Sequence, residues 1–142
     1  MLKNQKASFY MVLVATVSLI VSVMLFFISN QTAGYPIANS SLAMILSAVA
    51  VLCCGTSLYA QAKNGNELIV SFLRIAAMFL TMAAVVILLT DRAVVAGGVF
   101  TWNNLDTYAW SAFYTGMACL AFQIVSLLLI VVSGCMKQGT NR

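Results

Sequence analysis

The chain contains no histidine and only three acidic residues among its 142. Histidine is the side chain best suited to move protons near neutral pH, and it is a common metal ligand. Carboxylates supply much of the remaining acid–base chemistry of enzymes. Because both groups are scarce, we expect a protein that is not an enzyme and that carries no cofactor and no metal.

Charged residues of any kind are rare, at 7% of the chain, whereas 63% of the residues are hydrophobic. A soluble domain carries about a quarter charged residues, so this composition could not cover the surface of one. The net charge of +4 comes from scattered lysines and arginines rather than from a cluster, which argues against a nucleic-acid partner. With a mean hydropathy of +1.01, the sequence predicts an integral membrane protein whose first partner is the lipid bilayer.

Four apolar runs are long enough to cross a membrane as helices. They predict an all-α membrane protein made of a single domain, residues 1–142, with spans at about 9–28, 38–60, 67–90 and 108–136. The longest connection is an outer loop at about 91–107, which Gly97-Gly98 is expected to break. We expect this loop to lie on the headgroup layer, with a short β-hairpin as the alternative.

The basic residues predict which ends of the spans face the cytoplasm. If there are four spans, most of them fall on one side of the membrane: Lys3, Lys6, Lys63, Lys137 and Arg142. By the positive-inside rule, both termini are expected to be cytoplasmic, in a bacterial inner membrane or another plasma membrane. A cleaved signal peptide is the competing interpretation. The first apolar run, however, is longer than the core of a typical signal peptide, and no clear cleavage site follows it.

Small and polar residues recur in every span at alternating spacings of three and four. The second span has the most regular set: Ser40, Ala43, Ser47, Ala50, Cys54 and Ser57. A seven-residue repeat keeps one helix face turned toward its neighbours in a left-handed bundle, and small residues let helices approach closely in lipid. We predict an antiparallel left-handed bundle of four transmembrane helices. Its bulky residues should face lipid, and its second span should be the most buried.

Three polar residues within the spans are candidates for binding. Glu67 and Arg74 share a face of the third span, about 10 Å apart along the helix axis, and a charge within a span marks a functional site by default. The alternatives are that Arg74 anchors the helix at the headgroups and that Glu67 is stabilised by the helix dipole. Gln123, near the middle of the fourth span, should hydrogen-bond another helix or contact a solute.

Aromatic residues gather around the connection between the third and fourth spans. The candidates for recognition there are Phe100, Trp102, Asp106, Tyr108 and Trp110. Aromatic rings of this kind prefer the bilayer interface. Asp91 and Arg92 are expected to be solvated on the same loop, with a vestibule that attracts cations as the alternative.

Two functions fit these features, and neither is catalytic. The first is a noncatalytic accessory or structural subunit that binds a larger membrane protein through its small-residue faces or its outer aromatic loop. The second is a small oligomeric transporter or channel for ions or small solutes, with Arg74 and Gln123 lining the path. The expected protein partner is therefore a membrane protein or a second copy of the chain.

Overall fold

The computed structural model describes residues 2–31, 40–63, 66–101 and 107–135. They form four α-helices: α1 (Leu2–Asn30), α2 (Ser40–Ala62), α3 (Glu67–Thr101) and α4 (Thr107–Cys135). Each is long and apolar enough to cross a membrane. The prediction of four long apolar helices is confirmed.

The start of α3 is fixed by a polar cap. The side chain of Asn66 accepts a hydrogen bond from the backbone N–H of Leu68 at 3.2 Å, and its carbonyl accepts from Ile69 and Val70. Asparagine is among the preferred residues at this position, because its side chain satisfies a donor that the first helical turn leaves free. The acidic Glu67 follows in the first turn, where the helix dipole favours a negative charge.

The end of α3 differs from the prediction, because the helix continues through residues 91–101, which were expected to form a loop. Gly97 and Gly98 do not break it. A glycine inside a helix costs about 1 kcal/mol relative to alanine, and tertiary contacts of this segment offset that cost. Arg92 is buried between helices, and the ring of Phe100 packs on Trp110 and Phe113 of α4. The alternative of a β-hairpin is also wrong for these residues.

The four helices pack in a ring in which α1 contacts α2 and α4, and α3 contacts the same two helices. The contact between α1 and α4 is the most extensive. Hydroxyl groups along this contact donate to backbone carbonyls of the neighbouring helix: Ser8 to Ser133, Ser18 to Phe122, Ser22 to Cys119, and Ser126 to Ala15. These bonds require close approach of the two backbones, which the small serine side chains permit.

The small and polar residues predicted to face the bundle interior do so. In α2 the buried residues are Ala43, Ser47, Ala50, Cys54 and Ser57, all from the predicted set. Buried residues of α3 continue the same alternation: Val70, Arg74, Ala77, Thr81, Ala84 and Leu88. The exceptions are Glu67, which is exposed, and Ser40, which is half-buried.

Two details of the packing prediction are wrong. The most apolar stretch of α2 is 28% buried, less than the 33% of α1 and α4, so α2 is not the most buried helix. Two bulky side chains outside the predicted register also enter the interior, where Leu19 joins one apolar cluster and Phe26 joins a second. Ile130 and Leu88, which are in register with the small residues of their helices, pack in the same two clusters. They fill the space that small residues alone would leave empty.

Candidate functional site

Two arginines on one face of α3 dominate the polar chemistry of the bundle. Arg92 follows Arg74 by about five helical turns, or about 27 Å, so both side chains point in the same direction around the helix. Both are buried, with 4% of Arg74 and 2% of Arg92 exposed. Each reaches across the ring to α1, the helix diagonally opposite.

Arg74 joins all four helices at one end of the bundle, which we call the Arg74 end. Its Nη1 donates to the Ser8 hydroxyl of α1 at 3.0 Å and to the Ser133 carbonyl of α4 at 3.5 Å. Its Nη2 donates to Oε1 of Gln61 in α2 at 2.6 Å. The planar guanidinium suits this role, because its donors diverge in a fixed geometry.

The sequence-based candidate Glu67 lies at the same end but does not pair with Arg74. Among the described residues the guanidinium has no carboxylate within ion-pair distance, and its Nε lacks a hydrogen-bond partner. Both residues instead line a groove of about 560 Å³ between α3 and α4. The two charges are therefore brought together on one surface without neutralising each other directly.

Gln123 lies in the middle of the bundle and bridges the other diagonal. Its Nε2 donates to the Ser47 hydroxyl of α2 at 3.3 Å, while its Oε1 is buried without a partner among the described residues. Ser47 in turn donates to the Ala43 carbonyl at 2.9 Å. The expectation that Gln123 bonds another helix agrees with this geometry, although the bond is long.

Replacing Gln123 with methionine is expected to change the free energy of unfolding by less than about 1 kcal/mol. Interhelical bonds of this kind contribute about 0.6 kcal/mol on average in membranes, and the substitution also removes a buried carbonyl oxygen that has no partner. Unfolding of the purified protein in mixed micelles measures the change. A loss above about 2 kcal/mol would contradict a weak structural role and assign Gln123 a stronger contact.

Arg92 is the polar residue that sequence reasoning misplaced. Like Asp91, it was expected to be solvated on a loop, but both residues lie in α3, and the side chain of Asp91 is only 14% exposed. Arg92 is buried in the helical ring at the other end of the bundle, which we call the Arg92 end. Its Nη2 donates to the Ser29 hydroxyl at 2.7 Å, and its Nε lies 3.9 Å from Oδ2 of Asp91. The spacing gave no clear signal for it, because the step from Ala84 to Leu88 is already four and a strict alternation of three and four continues to position 91.

The absence of a side chain at Gly116 makes room for Arg92. An ideal Cβ on Gly116 of α4 would lie 2.8 Å from both Cδ and Nε of Arg92. No side chain fits there without displacing the arginine. Gly116 therefore belongs to the Arg92 site, and the site needs glycine for steric reasons.

Two of the aromatic candidates, Phe100 and Trp110, belong to a cluster on the surface at the Arg92 end together with Phe113 and Tyr114, which were not candidates. Phe100 lies edge-on to Trp110 and to Phe113, with ring centroids 6.3 and 5.9 Å apart, and Trp110 stacks on Tyr114 at 5.7 Å. We call these four residues the aromatic cluster. Tyr108 is exposed nearby in the sequence. The candidates Trp102 and Asp106 lie outside the described residues.

No protein-family model, curated protein or solved structure matches this chain. Roles for Arg74, Gln123 and Arg92 thus follow from their own contacts. Within the described stretches, no group of three or more cysteine and acidic side chains is placed to hold a metal ion. Cys119 exchanges hydrogen bonds with Ser22, and Cys54 lies within an apolar cluster, so both serve packing.

Proposed function

We propose that the protein is a noncatalytic accessory or structural subunit of a larger membrane protein. The aromatic cluster is the observation that carries this proposal. Its rings support one another in edge and stacked contacts, yet 72% of Phe100 and 64% of Tyr114 are exposed. Rigid, exposed aromatic side chains are typical anchors of protein interfaces, because little side-chain entropy is lost when they bind.

In this proposal the chain crosses the membrane as an antiparallel left-handed bundle with cytoplasmic termini. The bond Ser8–Ser133 pairs the start of α1 with the end of α4, and Ser22–Cys119 pairs a later part of α1 with an earlier part of α4, which supports the antiparallel order. The seven-residue recurrence of buried positions supports the left-handed twist. Arg74 and Arg92 would lie near the two edges of a hydrocarbon core of about 30 Å, where arginine is least costly to bury.

The filled interior favours a subunit over a pore within one copy. Side chains that face the bundle axis, such as Ser22, Cys54 and Thr81, are fully buried. The alternative, a small transporter or channel for ions or small solutes, would therefore need a path between copies of the chain. The noncatalytic part of the proposal is supported by the composition, since three acidic residues and no histidine offer few groups for catalysis.

The partner is tested by affinity purification from native membranes in mild detergent, followed by mass determination of the intact complex. We expect a second, larger membrane protein at fixed stoichiometry. The double variant Trp110→Ala/Tyr114→Ala should reduce its recovery by about tenfold, the loss of one interface anchor. Tyr10→Ala is the matched control, because Tyr10 is an equally exposed ring at the Arg74 end.

Two results would contradict the accessory role. One is a stable particle that contains a single copy of this chain and nothing else. The other is a homo-oligomer that conducts a solute in reconstituted vesicles, which would favour the alternative. Equal losses of partner in the cluster variant and in Tyr10→Ala would show that the aromatic cluster is not the contact.

A further inference from the structure

The groove between α3 and α4 has the dimensions and the polarity of a ligand site. Its volume of about 560 Å³ falls within the range of about 300–1,000 Å³ of small-molecule pockets. Near the helix ends it is lined by Glu67, Ser71 and Arg74. Farther into the bundle its walls are apolar, with Ile75, Met78, Ile130 and Val131. A molecule that fits both parts must be amphipathic.

The polar part of the groove holds an ordered set of groups on one helix face. Glu67, Ser71 and Arg74 are spaced by four and three residues, so their side chains lie one above another along α3. Arg74 is buried to 96%, and its Nε is the donor without a partner among the described residues. Anionic, hydroxyl and cationic groups thus follow one another from the helix end inward.

We propose that this groove binds a phospholipid whose headgroup ends in a primary ammonium group. The phosphate accepts hydrogen bonds from the Ser71 hydroxyl and the Arg74 guanidinium. The ammonium, which lies farther from the acyl chains, donates to the Glu67 carboxylate. An acyl chain follows Ile75 and Met78 toward the middle of the bundle. The proposal rests on the membrane orientation given above, but not on the protein partner.

The charges on the groove select this headgroup over others. An anionic phospholipid without an ammonium group would satisfy Arg74 but would leave Glu67 unpaired beside added negative charge. A trimethylammonium headgroup carries the positive charge but has no N–H to donate to the carboxylate. Only a zwitterion with a primary ammonium pairs both charges, and charge-assisted hydrogen bonds are the stronger class.

Cys135 provides a direct readout of the occupied groove. It is exposed and lines the groove, whereas Cys54 and Cys119 are buried. In a Cys53→Ser background, a maleimide reagent applied to the detergent-purified protein should label Cys135. Added phosphatidylethanolamine should protect this thiol at a concentration about tenfold lower than phosphatidylcholine or phosphatidylglycerol. Native mass spectrometry of the same samples should rank the three lipids in the same order by the amount bound to the protein.

Gly134 allows the groove to be filled without disturbing the fold. It lines the groove, and a Cβ added to it meets no atom within 4 Å. Gly134→Leu should therefore abolish the lipid preference while the helical content and melting temperature stay unchanged. Gly55→Leu, at an equally open position of α2, is the control and should retain the preference. In Glu67→Gln, phosphatidylethanolamine and phosphatidylglycerol should protect Cys135 at equal concentrations.

Three outcomes would overturn the proposal. The first is equal protection of Cys135 by all three lipids, and the second is an unchanged preference in Gly134→Leu. The third is equal protection by glycerophosphoethanolamine, the same headgroup without acyl chains, since the apolar half of the groove would then contribute nothing. None of these measurements involves the protein partner, so they separate this proposal from the accessory role.

Discussion

Replacing Arg74 with alanine is expected to lower the free energy of unfolding by about 2–4 kcal/mol. Hydrogen bonds to a charged group contribute about 1.5–3 kcal/mol, and Arg74 bonds to both Ser8 and Gln61, on different helices. The truncation leaves Oε1 of Gln61 without this donor and opens a cavity where four helices meet. Reversible unfolding in mixed detergent micelles, followed by circular dichroism, measures the loss.

Two further variants separate the geometry of Arg74 from its charge. Arg74→Lys keeps the charge, but a single ammonium cannot span Ser8 and Gln61 together, so we expect more than half of the loss to remain. Lys63→Ala removes a positive charge just beyond the end of α2, together with its contact with the Tyr59 ring at 4.8 Å, and should change stability by less than about 1 kcal/mol. Full stability of Arg74→Lys would mean that charge alone matters at this site.

Replacing Gly116 with leucine is expected to destabilise the bundle by about 3 kcal/mol. The added Cβ alone would lie 2.8 Å from the side chain of Arg92, which is 2% exposed. Overpacking of a tight interior typically costs about 1–3 kcal/mol, occasionally more, and displacing Arg92 also breaks its 2.7 Å bond to Ser29. The same unfolding measurement applies.

The control for Gly116 is Gly98→Leu, on the neighbouring helix. A Cβ at Gly98 meets no atom within 4 Å, so stability should be unchanged or raised by up to about 1 kcal/mol through better helix propensity. The double variant Arg92→Ala/Gly116→Leu should lose less unfolding free energy than the two single variants lose together. We expect a difference of at least about 1 kcal/mol, because the two side chains compete for one space. If the losses of the two single variants simply add in the double variant, the side chains at positions 92 and 116 are not in contact.

The contacts that these two substitutions change could be predicted from the sequence to different extents. Arg74 was recognisable because a charge in an apolar run is rare and must find partners. Its partners Ser8 and Gln61 were not recognisable, since they lie on other helices and their choice depends on helix rotation and tilt. The spacings of four and three through Ala112, Gly116 and Cys119 place Gly116 on the inner face of its helix, but nothing in the sequence links it to Arg92.

The loop expected at 91–107 illustrates the same limit at the level of secondary structure. Asp91 and the glycine pair Gly97-Gly98 favour a break by local propensity, and the charged pair Asp91-Arg92 ends the apolar run. The helix continues to Thr101 because Arg92 donates a hydrogen bond to Ser29 and packs against Gly116, and because Phe100 packs on aromatic rings of α4. These contacts lie between segments distant in sequence, so a local pattern could not reveal them.

The sequence by itself determined that the chain forms four long apolar helices and which face of each turns inward. Both follow from local quantities, namely the length of apolar runs and the alternation of three and four along a helix. The tertiary structure alone decided which helices are neighbours, that Arg92 is buried, and that Glu67 and Arg74 line one groove. Those features depend on how helices rotate and approach one another, and that approach is set by the fit of small residues such as Gly116 against large partners on another helix.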